Sequence, residues 1–254
     1  CNSMVKWDAF INQADKLGAA HIATGHYAII DNSSGNPVLK RGADPKKDQA
    51  YVLWGIPPKT LSRTLFPLGH LSKEEVREIA RKNNLETAEI PESMEICFVA
   101  DNNYKRFLKE YSPERMSKVG KGKIVDEDDN IVGKHSGYTN YTIGQRKGLG
   151  LSNPEPRYVS QIDPKQNQIK IGKKDSLRKT ECKVLEINWL VDNISFPSSI
   201  QAQIRYNSPQ VDAIISKQNQ SILVNFSKPQ MAITPGQSIV FYSNDIVLGG
   251  GIIE

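Results

Sequence analysis

The chain has 254 residues, 38% hydrophobic and 24% charged, which is enough for one large domain or two to three smaller cores and excludes a disordered chain, a collagen and a coiled coil. Its net charge of +5 is unevenly placed: residues 1–103 sum to −1, residues 104–173 to +6 and residues 174–254 to 0. The basic middle segment would attract a polyanion, although a solvated lysine face gives the same excess.

Hydropathy and cysteine content indicate where in the cell the protein is expected. No apolar run reaches the roughly 18 residues of a membrane span, and no signal peptide opens the chain, so we expect a cytoplasmic protein that does not contact a membrane. Cys1, Cys97 and Cys182 are too scattered to predict a disulfide framework or a metal site. Each fits either a buried apolar thiol or a reactive one. Because residue 1 is Cys and not Met, we expect a processed chain or a fragment.

The first hundred residues have the pattern of an α/β layer. Apolar residues at helical spacing predict an amphipathic helix from Val5 to Leu17, ended by Gly18. A short apolar strand over residues 20–30 follows, interrupted at positions 24–26. Ser72 and Glu75 form a capping box that predicts the start of a second helix. A helix that leads into a buried strand is typical of α/β folds.

Beyond residue 115 helix signals give way to short alternating segments. Those over residues 122–125, 138–143, 158–162 and 168–171 predict strands, so we expect a small, mostly β central domain over residues 104–173. In residues 174–254 strand patterns recur every 8–12 residues, which predicts a small barrel or sandwich. The predicted domain boundaries therefore lie near residues 103 and 173.

Two polar segments of the first part could hold a ligand. Thr24-Gly25-His26-Tyr27 ends a predicted buried strand, where ligands collect in α/β sheets, and His26 would offer a donor at neutral pH. A buried structural histidine fits the same letters. Lys46-Lys47-Asp48-Gln49 places two cations and an amide together, but an exposed helix start capped by Asp48 gives the same pattern.

Two basic segments follow later in the chain. Residues 144–150, GQRKGLG, form a glycine-rich loop whose amides and two cations could cradle phosphate oxygens. It lacks the hydroxyl with which a P-loop holds Mg²⁺, and a ligand-free glycine hairpin is the alternative. Arg205-Tyr206 pairs a phosphate-binding cation with a ring that can stack on a base, a combination found in RNA-binding proteins. The same two residues also occur on ordinary protein surfaces.

Eight sequence blocks span essentially all 254 residues: CNSMVKW (1–7), ATGHYA (23–28), KDQAY (47–51), LFPLG (65–69), ICFV (96–99), YTIGQRKGLG (141–150), TPGQ (234–237) and LGGGII (248–253). Taken in chain order, these blocks closely resemble those of the bacterial tRNA-specific 2-thiouridylases, the MnmA family.

The resemblance implies a fold and a reaction. It implies an incomplete, Rossmann-like ATP-pyrophosphatase (PP-loop) α/β domain over residues 1–103, the central domain, and a C-terminal β-barrel over residues 174–254 that binds the tRNA anticodon arm. ATP with Mg²⁺ would adenylate the C2 oxygen of the wobble uridine at position 34, and persulfide sulfur would then replace that oxygen. The implied partners are tRNA and a sulfur donor, either a persulfide relay protein or a cysteine desulfurase.

The resemblance also implies roles for individual residues. Cys97 matches the cysteine that carries the persulfide, and Cys1 matches a second catalytic cysteine that either frees sulfide or forms a disulfide with Cys97. Gly25 matches an ATP-contacting glycine. Cys182 has no counterpart, so we expect a core thiol. The positions that match tRNA contacts are His26, Lys47, Asp48, Gln49, Arg205, Tyr206 and Gln237.

The start of the chain departs from the family pattern. The family's S-G-G-x-D-S phosphate loop and its Asn-Pro-Asp segment would both precede Cys1, so we expect a fragment that cannot thiolate tRNA alone. An N-terminal-nucleophile amidohydrolase or a lipoprotein acylated on Cys1 would also explain residue 1. The helix predicted directly after it argues against both. A non-catalytic RNA-binding module stays compatible with all these patterns.

Overall fold

The computed structural model describes residues 6–33, 35–90, 99, 101, 103–151 and 154–254. The chain forms two compact units. The first contains Cys1–Ile90, Thr180–Lys228 and Pro235–Glu254, and the second contains Pro91–Lys179 and Pro229–Thr234. The first unit therefore unites the beginning and the end of the chain.

The early part of the first unit has the predicted α/β character. Its elements are α1 (Ala9–Lys16), β1 (Ile22–Ala23), β2 (Ala28–Asp31), β3 (Val38–Arg41), β4 (Thr64–Leu65) and α2 (Lys73–Lys82). Gly18, with φ of +67°, follows α1 as expected. The capping box of α2 is present, because the Ser72 amide donates to Glu75 Oε2 and the Glu75 amide donates to Ser72 Oγ. β1 and β4 pair in parallel.

The later part of the first unit is a closed six-stranded barrel. Its strands are β9 (Arg178–Trp189), β10 (Ser198–Gln203), β11 (Val211–Gln218), β12 (Ser221–Met231), β13 (Ser238–Ser243) and β14 (Ile246–Ile253). They follow the order β13-β10-β11-β12-β9-β14, and pairing of β13 with β14 closes the ring. The strand spacing thus gives a barrel and not a sandwich.

A shared sheet and core join these two parts. Strand β3 pairs with β14 through Lys40 and Ile246, and β2 pairs with β3, so the barrel sheet continues into residues 28–41. Asn188 Nδ2 donates to the carbonyls of Trp54 and Ile56 at 2.7 and 2.9 Å. One hydrophobic core contains side chains from both parts, including Trp7, Leu39, Leu53, Ile56, Leu190, Val240, Tyr242 and Val247.

The second unit contains two helices and a four-stranded sheet. Its elements are α3 (Tyr104–Tyr111), α4 (Pro113–Ser117), β5 (Gly122–Val125), β6 (Ile131–His135), β7 (Tyr158–Asp163) and β8 (Gln168–Gly172), with the strand order β6-β5-β8-β7. Ile124, Val159, Ile169 and Ile171 form its core together with Leu149.

One predicted strand of the second unit is wrong. Residues 138–143 begin with a short 3₁₀ turn, Tyr138–Asn140, and form no strand. Gly137, at φ of +132°, precedes the turn, and Tyr138 and Tyr141 both pack against the core of the unit. Tyr138 and Tyr141, three positions apart, therefore anchor a loop to the core, so the apolar residues of this segment do not reflect strand pairing.

No helix in the described part of the chain is long and apolar enough to cross a membrane.

Candidate nucleic-acid interface

Gly25 lies just after β1, where the chain leaves a parallel strand pair. Because β1 and β4 run in parallel, Ala23 and Leu65 end at the same edge of the sheet, the edge where α/β folds bind ligands. A Cβ on Gly25 would meet Leu68 Cδ1 at 3.6 Å, an ordinary contact, and the backbone of Gly25 does not have a positive φ. Local packing therefore does not require glycine here, which fits close approach by a ligand.

His26 is buried within an aromatic cluster. Its ring centroid lies 5.7 Å from that of Trp7 and 5.9 Å from that of Phe66, and the residue is 9% exposed. Lys6 Nζ lies 3.2 Å from Nε2, and Thr24 Oγ1 lies 2.8 Å from Nδ1. Because an ammonium group only donates, Nε2 accepts from Lys6, and Nδ1 carries the proton that it donates to Thr24.

The surroundings of His26 keep its imidazole neutral. Burial first, and the Lys6 cation second, lower the pKa of His26 from 6.5 to about 4. The expected ring donor at neutral pH is therefore present, but it is already engaged by Thr24. Contact between His26 and tRNA stays a prediction.

Asp48 is the centre of a buried polar cluster and is 8% exposed. One carboxylate oxygen accepts from Arg41 Nε at 2.8 Å. The other accepts from the amides of Gly42 and Ala50 at 2.9 and 3.0 Å. Asp48 thus accepts a hydrogen bond from the first amide of a short 3₁₀ helix, Ala50–Leu53. Its carboxylate is buried and ion-paired, whereas the sequence-based alternative was an exposed helix start.

Gln49 joins the two early polar segments. Its amide donates to the Tyr27 carbonyl at 2.8 Å, and its Oε1 accepts from the Tyr27 amide at 3.0 Å. The segments 24–27 and 46–49, recognised separately in the sequence, are therefore adjacent. The side chain of Gln49 is half-buried, as is that of Lys47.

The barrel residues Arg205, Tyr206 and Gln237 lie against the Asp48 cluster. Arg205 Nε donates to Gln237 Oε1 at 3.2 Å. The Tyr206 hydroxyl donates to the Asp48 carbonyl at 3.0 Å, across 158 positions of sequence. Its ring lies 6.1 Å from the ring of Tyr51 and is 43% exposed. The structure thus places Tyr206 of the barrel against Asp48 of the early part, and both were predicted to contact tRNA.

A cavity of about 70 Å³ marks this meeting point. Beside the Asp48 carboxylate it combines two cations, two tyrosine rings and two side-chain amides. Cations, rings and amides are the groups that bind phosphates and bases in RNA. Burial raises the pKa of Tyr51 to about 12, so its hydroxyl stays protonated and donates to the Ser238 carbonyl at 2.7 Å. The cavity is lined by Arg41, Pro45, Lys46, Asp48, Tyr51, Gln203, Tyr206 and Asn207.

Tyr51 belongs to the block KDQAY, whereas two of these side chains carry no distinctive sequence signal: Arg41 and Gln203. Arg41 ends β3 and lies over the Tyr242 ring at 5.7 Å. Gln203 Nε2 donates to the carbonyls of Arg205 and Tyr206 at 3.1 and 2.8 Å, which holds that turn. Only the contacts formed on folding identify them.

The predicted sulfur chemistry depends on two cysteines. Cys1 and Cys97 both lie outside the described residues. Cys182 is a buried thiol on β9, as expected of a core residue. Among the described residues, no group of three or more His, Cys, Asp or Glu side chains could hold a metal ion.

Three family models match the chain in succession. They are the tRNA methyl transferase HUP domain over residues 1–101, the tRNA methyl transferase PRC-barrel domain over residues 105–173 and the Aminomethyltransferase beta-barrel domain over residues 179–253. The order agrees with the predicted α/β domain, small β domain and C-terminal barrel. The fold class predicted from the sequence is therefore confirmed.

Individual relatives match over the whole chain. The tRNA-specific 2-thiouridylase MnmA of Chlorobium phaeobacteroides is 44% identical over 257 residues, which cover 100% of this chain and 71% of that protein. The chain belongs to the MnmA family. The relative of the same name from Carboxydothermus hydrogenoformans is 46% identical, with 100% and 70% covered, and that from Symbiobacterium thermophilum is 43% identical, with 100% and 66% covered.

Membership of the MnmA family argues against two of the sequence-based alternatives. It confirms the family resemblance carried by the eight blocks. It also replaces the amidohydrolase and lipoprotein interpretations of Cys1, whose predicted strand or flexible tether is absent from the described residues 6–16, where α1 lies.

Proposed function

We propose that this chain acts as a tRNA 2-thiouridylase, an enzyme that places sulfur on C2 of the wobble uridine of tRNA. The observation that carries the proposal is the 44% identity, over the full chain, to a tRNA-specific 2-thiouridylase. The surface formed by Gln49, Arg205, Tyr206 and Gln237 next to the buried Asp48 supports it, because amides, a guanidinium group and an aromatic ring supply the chemistry that RNA recognition needs.

We assign each group on this surface a role in RNA binding. Arg205 is fixed by Gln237 and would contact backbone phosphate. The half-exposed Tyr206 ring, fixed through its hydroxyl, would stack on a base of the anticodon loop. Lys47 and the amide of Gln49 would contact the RNA close to the target base. The ion pair between Asp48 and Arg41 holds the segment that contains Lys47 and Gln49 in place.

ATP, with Mg²⁺, would supply the activation by adenylating the C2 oxygen, so that AMP becomes the leaving group. Gly25 fits the edge where the nucleotide would lie, because nothing in its packing requires glycine. The neutral His26 beside it adds no charge to that edge.

The sulfur step is proposed for Cys97 and Cys1. The terminal sulfur of a persulfide on Cys97 would attack C2, and the C2–O bond would break. The thiolate of Cys1 would then attack the Cys97 sulfur, which breaks the S–S bond, leaves the transferred sulfur on C2 and forms a Cys1–Cys97 disulfide. In the alternative order, Cys1 would attack the Cys97 sulfur of the persulfide first, which forms the same disulfide and frees sulfide, and the sulfide would then attack C2. A persulfide relay protein or a cysteine desulfurase would supply the sulfur.

Nucleoside analysis tests the reaction. Deleting the gene should remove 2-thiouridine from the wobble position of cellular tRNA, measured by mass spectrometry, and returning the gene should restore it. Cells that keep normal 2-thiouridine after deletion would show that this chain does not make it.

A binding series tests the RNA surface. Arg205→Gln in the full chain should weaken binding of an anticodon stem-loop and reduce the slope of log affinity against log salt by about 1. The matched control Lys59→Gln removes one exposed charge elsewhere and should leave the slope unchanged. Equal effects of the two substitutions would contradict the assignment of Arg205.

A non-catalytic RNA-binding module would pass the binding test and fail the nucleoside test. The two measurements therefore separate that alternative from the proposed enzyme.

A further inference from the structure

The glycine-rich loop of residues 144–150, in the second unit, has a braced backbone. The Gly144 amide donates to the Val159 carbonyl at 2.8 Å, and the Val159 amide donates to the Gln145 carbonyl at 2.9 Å. The Gln145 side chain spans the loop, because its Oε1 accepts from the Thr142 amide at 3.1 Å and its Nε2 donates to the Lys147 carbonyl at 2.9 Å. The loop therefore has a fixed conformation without any ligand.

The glycines of the loop and its large apolar residue, Leu149, have different structural roles. Gly144, Gly148 and Gly150 have φ angles of +87°, +76° and +67°, which other residues rarely adopt. Leu149 is 7% exposed and packs in the core of the unit. Between these anchors, Arg146 and Lys147 lie exposed at the surface.

Some basic side chains of the second unit are ion-paired with described carboxylates and others are not. Arg106, Arg157, Lys170 and Lys173 each form an ion pair with a carboxylate. Arg146 and Lys147 form no ion pair with any residue that the structure describes. Their charges are thus available to an external anion.

An open groove of about 530 Å³ runs beside the loop. Arg146 and Arg157 both line it, together with the backbone of Gly148 and Gly150. Arg157 also pairs with Glu127 at 3.4 Å and with Glu155 at 4.0 Å, so part of its charge is balanced. Glycine backbone beside guanidinium groups lets a phosphate reach both amides and cations.

We propose that the loop of residues 144–150 is a binding site for the backbone phosphates of tRNA, contacted by Arg146 and Lys147. This inference rests on the proposed function, which supplies the polyanion. An RNA backbone is favoured over a nucleotide because the loop is exposed, its groove is open, and no hydroxyl follows Lys147 to hold Mg²⁺. Binding would release counterions from the RNA, so the contribution of the loop must depend on salt.

The test compares two charge-matched double variants of the full chain. Arg146→Gln with Lys147→Gln removes the loop cations, and Lys59→Gln with Lys217→Gln removes two exposed lysines from the first unit. Filter binding of a tRNA transcript with a wobble uridine is measured from 50 to 200 mM salt. The loop variant should reduce the slope of log affinity against log salt by about 1.5 to 2 and weaken binding on the order of tenfold.

Further variants keep the outcome interpretable. Arg146→Lys with Lys147→Arg keeps both charges and should keep the wild-type slope, and thermal unfolding should show that every variant is folded. A wild-type slope in the charge-removing loop variant would overturn the inference, as would an equal fall in the control pair. Loss of ATP binding with an unchanged tRNA slope would assign the loop to a nucleotide and also overturn it.

The proposed function fails in a different way. If the wild-type chain itself shows no salt-dependent tRNA binding, the proposal of a tRNA enzyme is contradicted, and this inference is contradicted with it. If wild type shows salt-dependent binding and the charge-removing loop variant has the same salt slope, the proposed function stands and only the loop assignment is wrong.

Discussion

Protonation of His26 should make the first unit sensitive to mild acid. The pKa of His26 is about 4 in the folded chain and 6.5 when unperturbed. Well above pH 6.5 the ring is neutral in both states. As the pH falls from 6.5 towards 4, the unfolded chain binds a proton that the folded chain does not, so the free energy of unfolding decreases. Between pH 7 and 5 this difference amounts to about 2 kcal/mol.

Urea unfolding at pH 7 and pH 5 measures this effect. Wild type should lose about 2 kcal/mol more stability over that interval than His26→Gln, whose amide can contact Lys6 and Thr24 but does not titrate. The control His70→Gln alters an exposed histidine and should keep the wild-type pH dependence. If His26→Gln loses as much stability as wild type, His26 is not held neutral by its buried surroundings, and the reasoning fails.

Two further substitutions test the contacts that assemble the first unit. Tyr206→Phe removes the hydroxyl bonded to the Asp48 carbonyl; it should lower the free energy of unfolding by about 1 kcal/mol and leave the salt slope of RNA binding unchanged, since no charge is lost. An altered slope in filter binding would contradict this. Thr64→Val removes the acceptor of the fully buried Trp7 Nε1–H, 2.9 Å away, and should cost about 1 to 3 kcal/mol in urea unfolding. Thr64→Ser keeps the acceptor and should cost less; equal losses would show that the hydroxyl is not what matters.

Local patterns predicted most of the elements. The box formed by Ser72 and Glu75 marks the start of α2, because a cap needs only residues within one turn. The regular spacing of the barrel strands likewise follows from alternation and turn residues. The pattern failed at residues 138–143, where Tyr138 and Tyr141 anchor a loop to the core and form no strand.

The sequence by itself determined the family and the order of the domains, because both depend on motifs read along the chain. It also supplied the candidate residues of the RNA surface, through their match to the family. Only the tertiary structure decided that Asp48 and Tyr206 meet, and that Arg41 pairs with Asp48 as part of that surface. Long-range pairing and burial set these contacts and the pKa of His26, and neither leaves a local periodicity in the sequence.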